Sequence, residues 1–164
     1  MVTRDELREC MSRFASGVTV VTTLDEYGEL HGMSANSFTS VCLDPPLVLI
    51  CVGHSTKTYQ YVEEQGCFGV NILSSEQEDV GKYFARPPED RKGDVSYQWA
   101  PSGESQLPAI SGAMAFFGCQ VESAHTHGDH TIYVASVKEV YRGDADDPLL
   151  FFQRKWYTSI GTDK

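Results

Sequence analysis

Positive charge is scarce in this chain of 164 residues: 13 Lys and Arg stand against 23 Asp and Glu, for a formal net charge of −10. Binding to a nucleic acid or an anionic membrane demands clustered cations that displace counterions, so that balance argues against both as partners. It leaves room for a small phosphorylated molecule, which needs only local N–H donors and a cation or two. No uninterrupted apolar segment approaches bilayer-spanning length. The five cysteines (Cys10, Cys42, Cys51, Cys67, Cys119) form no C-x-x-C pair, and the chain opens on the charged run Thr3-Arg4-Asp5-Glu6 where a secretory signal would be apolar. Together these predict buried free thiols in a cytoplasmic protein. The phosphate loops G-x-G-x-x-G and G-x-x-x-x-G-K-[ST] are missing, as is the G-x-S-x-G elbow, which removes the usual dinucleotide, P-loop and α/β-hydrolase readings. No cysteine sits in an electropositive context that would make it a nucleophile.

What is present reads as one globular domain over 1–164, long enough to bury a core without staples. Thr3-x-x-Glu6 is a capping box before Leu7, Cys10, Met11 and Phe14 at helical spacing, predicting a helix from about Thr3 to Ala15 that Gly17 ends. The β-branched run 18–23 and the stretch 30–35, joined by turn chemistry at 26–29, predict a hairpin. Residues 47–52 read as a buried strand, followed by a short helix capped by Ser55 and stopped by Gly66. Another strand covers 67–73, and Ser75-x-x-Glu78 opens a helix to about Ala85. The stretch 86–110, rich in Pro, Gly and charge, reads as a surface excursion. Strands at 113–123 and 131–141 and a last one at 149–152 complete the count. Six or seven strands with short helices favour an antiparallel barrel over a doubly wound sheet.

The segment Gly32-Met33-Ser34-Ala35-Asn36-Ser37-Phe38-Thr39-Ser40-Val41-Cys42-Leu43-Asp44-Pro45-Pro46-Leu47 crowds hydroxyl, amide and glycine positions before a Pro-Pro break and an apolar run. Pinned between apolar elements, it offers backbone N–H and side-chain O–H groups to a flat polar ligand carrying phosphate. Ser55-Thr56-Lys57 follows a buried strand and begins a helix, where free N–H groups and the positive dipole end face an anion; a plain N-cap is the competing reading. Arg86, after Phe84-Ala85, could serve the helix dipole or reach a phosphate. His125-x-His127-x-Asp129-His130 matches the H-x-H-x-D-H signature of metallo-β-lactamase-like hydrolases. A dinuclear zinc site needs further ligands from later strands, and no histidine follows His130. The predicted metal set is therefore none, with a polar hairpin turn as the competing reading and a zinc-dependent hydrolase the less favoured one.

Taken in order, the Gly32–Leu47 segment, Val70-Asn71-Ile72-Leu73-Ser74 with Gln77-Glu78-Asp79 and Phe84-Ala85, the Gly128-Asp129-His130 turn, and Pro148-Leu149-Leu150-Phe151-Phe152 resemble the short-chain flavin reductases of two-component monooxygenase systems. That resemblance implies a mainly β fold with peripheral helices, a six- to seven-stranded antiparallel FMN-binding split barrel. It implies an NAD(P)H:flavin oxidoreductase, using FMN or FAD and NADH or NADPH, that supplies reduced flavin by diffusion to a partner monooxygenase. It also implies a homodimer with the flavin near the interface.

By the same resemblance Met33, Ser34, Ala35, Asn36, Ser37, Ser40, Val41 and Cys51 would wall the flavin. His54, Ser55, Thr56 and Lys57 would meet its phosphate, Phe84, Ala85, Trp156 and Tyr157 would complete the site, and His130 would lie beside the nicotinamide. His125 and His127 then become incidental. Cys42 stands where the family usually shows Ser, and Trp156 where it tends to show Tyr. A split-barrel protein that binds flavin or haem without turnover is the alternative from another class.

Overall fold

The computed structural model describes residues 1–92, 98–100, 103 and 105–159. A short helix, α1 (Arg4–Met11), precedes strands β1 (Ser16–Gly17), β2 (Thr19–Leu24), β3 (Leu30–Ala35), β4 (Thr39–Leu43) and β5 (Pro46–Gly53). Helix α2 (Lys57–Gln65) leads into β6 (Cys67–Ile72), helix α3 (Glu78–Phe84) and the short strands β7 (Trp99–Ala100) and β8 (Ala109–Ile110). The long strands β9 (Ala115–His127) and β10 (His130–Arg142) and the short β11 (Leu150–Phe152) and β12 (Lys155–Tyr157) finish the chain.

Seven strands form one antiparallel sheet in the order β3-β2-β6-β9-β10-β5-β4. Its edges, β3 and β4, are consecutive in sequence yet belong to opposite ends of the sheet, which is the split of the expected barrel. Alternation in β5 sends Val48, Ile50 and Val52 inward, where they meet Val21, Phe68, Val70, Tyr133 and Ala135, with Val62 of α2 packed on the same cluster. A second cluster joins Val18, Val20, Leu73, Ile110 and Leu149 to Val80 and Phe84 of α3. With apolar residues on both of its faces, β2 is buried along almost its whole length.

The structure redraws several boundaries. The Thr3 and Glu6 capping box is present, but α1 ends at Met11, with Ser12 as its cap, and buries none of its residues. Thr56, one residue later than expected, caps α2, its Oγ1 accepting from Tyr59 N at 3.2 Å. Ahead of α3 the reciprocal cap belongs to Ser74 and Gln77, with Gln77 Oε1 accepting from Ser74 N at 3.1 Å; a 3₁₀ turn over Ser75–Gln77 displaces the expected start. Residues 39–43 add a strand to the segment read as ligand wall, and Cys42 Sγ donates to the Pro45 carbonyl at 2.9 Å in the turn after it.

Residues 86–90 of the stretch read as a surface excursion are exposed, and 93–97, 101, 102 and 104 lie outside the described residues, but 107–110 are not surface. Leu107, Ala109 and Ile110 are buried, Thr22 Oγ1 donates to Pro108 O at 2.6 Å, and Asn71 Oδ1 accepts from Ile110 N at 2.7 Å. Farther out, the Glu139 carboxylate accepts from the backbone N–H groups of Gly103 and Ser105, and the Ser105 hydroxyl first, then these two N–H groups, hold it below its usual range against the opposing effect of burial. The expected turn 125–130 shrinks to Gly128-Asp129, with His125, His127 and His130 on the strands themselves. Gly128, at φ +60°, is the glycine-first corner of a two-residue hairpin, a backbone that L side chains resist. The last predicted strand does not join the barrel: β11 pairs with β1 and β12 in a separate three-stranded sheet. All five cysteines are free, but Cys119 alone is fully buried and Cys10 is exposed.

Candidate functional site

Strand β3 runs beside α3 because Ser34 Oγ donates to Gly81 O at 2.6 Å. Trp156 of β12 closes over the same glycine, where any Cβ would stand 2.9 Å from its ring, so that position tolerates no side chain without a shift. Phe151 meets Trp156 edge-on at 5.4 Å between ring centroids. Val18, Ser34, Ala35, Asn36, Ala85, Phe151 and Trp156 thereby enclose a cleft whose exposed lining is mostly apolar. An apolar slot with backbone and amide groups along one wall suits a planar heteroaromatic ring.

A second cavity, of about 330 Å³, shares Ala85 with the first. Met33 and Phe84 line its near side and Ser55, Thr56, Lys57 and Thr58 another wall, while Arg86, Pro87, Pro88, Glu89 and Arg91 close over it. The Thr56 hydroxyl is committed to the helix, donating to Gly53 O at 2.8 Å while it caps Tyr59 N. The first turn of α2 brings to the same wall N–H groups that have no partner within the helix, together with the positive end of the helix dipole. Among the described residues neither Lys57 nor Arg86 is in an ion pair. In a chain of net charge −10, this is a local concentration of cations.

His31 also lines this cavity, its Nε2 2.9 Å from Thr58 Oγ1 and its ring edge-on to Tyr61 at 5.0 Å. Burial, then the nearby Arg91 and Lys57 charges, pull its pKa down to about 4 against the opposing pull of Asp25. It is therefore a neutral imidazole at pH 7, a hydrogen-bonding group beside the cations rather than another charge.

Of the site residues named from sequence, Met33, Ser34, Ala35, Asn36, Ser55, Thr56, Lys57, Phe84, Ala85 and Trp156 line the two cavities. The remaining seven lie elsewhere. Ser37 is a strap, its Oγ donating to Cys51 O at 2.9 Å and accepting from Cys51 N at 3.1 Å. Ser40 and Val41 are on the edge strand β4, and Cys51 is half-buried in β5, where burial pushes its thiol pKa up. His54 Nε2 bonds Thr131 Oγ1 at 2.9 Å, and its ring packs on Tyr59. Tyr157 pairs with Leu150 beside Phe152, so of the two neighbouring aromatics Trp156 is the one in the cleft.

His130 sits at the exposed hairpin tip, Nδ1 2.7 Å from Asp129 Oδ1, and this bond holds the Asp129 carboxyl below its usual range. The tip is still close to the cationic cavity. His130 is the cross-strand partner of Gly53, and His54 N donates to Asp129 O at 2.9 Å, which ties the tip to the loop carrying Ser55 and Thr56. His125 Nε2 lies 3.1 Å from Ser123 Oγ, and among the described residues no group of three metal-ligating side chains converges.

Sequence reasoning missed His31, Arg91 and Phe151. The first hid in a polar strand and the second in the stretch read as surface, neither with a motif; the third lay in the Pro148–Phe152 ending that carried the resemblance, but was read there only as part of a last strand.

The chain matches the family model "Flavin reductase like domain" over residues 11–160. It is 39% identical over 153 residues to an NADH-dependent flavin reductase of a Rhodococcus species, covering 92% of this chain and 84% of that one. It is 33% identical over 157 residues to the reductase subunit HsaB of a flavin-dependent monooxygenase from Rhodococcus jostii, covering 96% and 78%. Some relatives are longer, and the chain spans 41% of a probable flavin reductase from Rhizobium meliloti. Among solved structures, the NADH:FAD oxidoreductase SgcE6 of Streptomyces globisporus, in complex with NAD and FAD fragments, superposes with a TM-score of 0.87 at 37% identity over 98% of this chain and 94% of that one.

Proposed function

The chain belongs to the flavin reductase-like family, and from that membership we propose that it is an NAD(P)H:flavin oxidoreductase supplying reduced flavin to a partner monooxygenase. The observation that carries this reading is a pair of cavities that share Ala85 in their linings, an apolar slot bearing Phe151 and Trp156 and a pocket bearing Lys57, Arg86 and Arg91, in an otherwise acidic protein. A planar ring bearing an anionic tail, as in FMN or FAD, matches that donor set. Bound flavin supplies the hydride and electron chemistry, and the protein supplies position and electrostatics.

Ser34, Ala35 and Asn36 edge the ring, Trp156 and Phe151 exclude water from one side, and Lys57, Arg86 and the first turn of α2 hold the phosphate. His130 orients the nicotinamide of NADH or NADPH, with Asp129 fixing its ring. The nicotinamide enters the same cleft. His130→Ala is expected to raise the NADH KM or slow flavin reduction about tenfold or more, while His125→Ala and His127→Ala stay near wild type. Steady-state NADH and NADPH oxidation with FMN, FAD and riboflavin tests both statements. Flavin binding without turnover moves the protein to the non-catalytic reading, and equal damage from all three histidine variants removes His130 from its role.

The protein acts as a cytoplasmic homodimer. Leu47, Leu49, Cys51, Ile132 and Val134 alternate outward on paired strands of β5 and β10 and remain half-exposed, beside the edge-strand residues Val41 and Leu43, the latter 90% exposed. A second copy covering this apolar face would bring Val41, Cys51 and His130 to the interface, which accounts for their absence from the cavity lining of a single chain. Sedimentation equilibrium reads the stoichiometry, and a monomer at micromolar concentration overturns this reading.

A further inference from the structure

Residues 86–90 form an exposed strap around a 3₁₀ turn (Pro88–Asp90), and Arg86, Pro87, Pro88 and Glu89 all face the cationic cavity. Their own backbone bonds are local, Arg86 N to Tyr83 O and Asp90 N to Pro87 O. A strap held only at its ends would sample many positions. Arg91 supplies the missing tie. Its Nη2 donates to Gly32 O in β3 at 2.7 Å and its Nε donates to Arg86 O at 3.1 Å, so one guanidinium joins the far end of the strap to both its near end and the barrel.

The central carbon of that group lies over the rings of Phe84, at 5.0 Å, and Tyr83, at 5.5 Å, two rings that meet at right angles at the end of α3. Phe84 is itself immobilised: it is buried, and it fills the space over Gly32, where a Cβ would stand 2.8 Å from its ring. Three segments (β3, the α3 terminus and the strap) therefore converge on one side chain.

We propose that Arg91 is a positioning residue that fastens the 86–91 strap to β3 and thereby builds the wall placing Arg86 opposite Ser55, Thr56 and Lys57, where the flavin phosphate is held. The inference rests on the flavin reading of the cleft. Two bonds from different nitrogens of one group that also rests against two rings need a fork of donors, and lysine, a single point charge on a flexible stem, does not offer one. Charge alone would be satisfied by either residue.

The test compares wild type, Arg91→Lys and Arg91→Met in steady-state NADH oxidation with FMN, FAD and riboflavin, the last of which carries the ring but no phosphate. Both variants are expected to raise the KM for FMN and FAD about tenfold or more, the loss of one to two charge-assisted bonds. The kcat at saturating flavin and the riboflavin KM should stay within about twofold of wild type, because the reacting end of the ligand is untouched. Unchanged FMN and FAD KM values overturn the proposal. So does an equal rise for riboflavin, or loss of activity with all three flavins in a variant, since either would report a general structural defect. Full rescue by lysine would assign the effect to charge and likewise overturn the fastening role. A wild-type protein inactive with every flavin would instead overturn the flavin reading itself.

Discussion

Replacing Asn71 by leucine is expected to lower the unfolding free energy by about 3–5 kcal/mol, a large share of what a domain of this size possesses. Asn71 is fully buried in β6. Its Nδ2 donates to Val20 O at 3.1 Å and to Thr22 Oγ1 at 3.3 Å, and its Oδ1 accepts from Ile110 N at 2.7 Å. Leucine keeps the branched four-atom skeleton, with bulkier methyl groups, but leaves those three groups without the amide. Each such buried loss costs about 1–3 kcal/mol.

The effect extends past one strand, because Thr22 Oγ1 itself donates to Pro108 O, so a single network stitches β2, β6 and the 107–111 segment together. Aspartate is no rescue: it keeps an acceptor for Ile110 N, loses both donors and adds a buried charge. Thr22→Val, which removes only the hydroxyl, should cost less than Asn71→Leu. Urea unfolding monitored by circular dichroism reads the difference, and a loss under about 1 kcal/mol for Asn71→Leu would show that the network is not what anchors this segment.

That network also explains which parts of the molecule were legible in sequence. Strands whose two faces differ, such as β5 with its alternate inward Val48, Ile50 and Val52, announce themselves by period and composition. The segment 107–111 does not. Leu107, Ala109 and Ile110 are buried by long-range bonds from Thr22 and Asn71 rather than by any local pattern, and they sit among prolines and charges that read as surface. The cap positions slipped by one residue for a related reason. Ser55 and Thr56, or Ser74 and Ser75, are equally good caps locally, and the strands before them decide which is used.

Within the site, the residues that line the cavities from β3 and the α2 loop were readable because they form contiguous polar runs between apolar strands. Arg91 and His31 were not. Their roles come from meeting across 59 and 27 residues of chain, at Gly32 and Thr58 respectively. The histidine cluster shows the opposite failure. Three imidazoles at metal-like spacing lie on a hairpin whose outward face gathers no further ligands among the described residues. Here that spacing falls on the alternation of two paired strands.

The largest functional effect is expected from Ala85→Trp. Ala85 ends α3 in ordinary helical geometry, with its N–H bonded to Gly81 O at 3.0 Å, and it is exposed, so a bulky residue asks nothing of the backbone or the core. The stability change should stay within about 0.5 kcal/mol, the usual range for a surface substitution. Yet Ala85 is the residue common to the linings of the aromatic slot and the cationic cavity. A ligand that occupies both must pass over it, and an indole there obstructs the join. With FMN or FAD, kcat/KM is expected to fall about a hundredfold or more, equivalent to some 2.7 kcal/mol of lost transition-state stabilisation.

A graded series sharpens the inference. Ala85→Ser should be nearly silent and Ala85→Leu intermediate. Riboflavin, whose ring needs the slot but whose tail ends before the phosphate wall, should lose less than FMN at every step. Fluorescence titration of flavin onto each variant separates lost binding from lost chemistry. A tryptophan variant that folds, binds FMN and turns over like wild type would show that the two cavities do not share one ligand. That outcome would remove the geometric basis for reading them as a single flavin site.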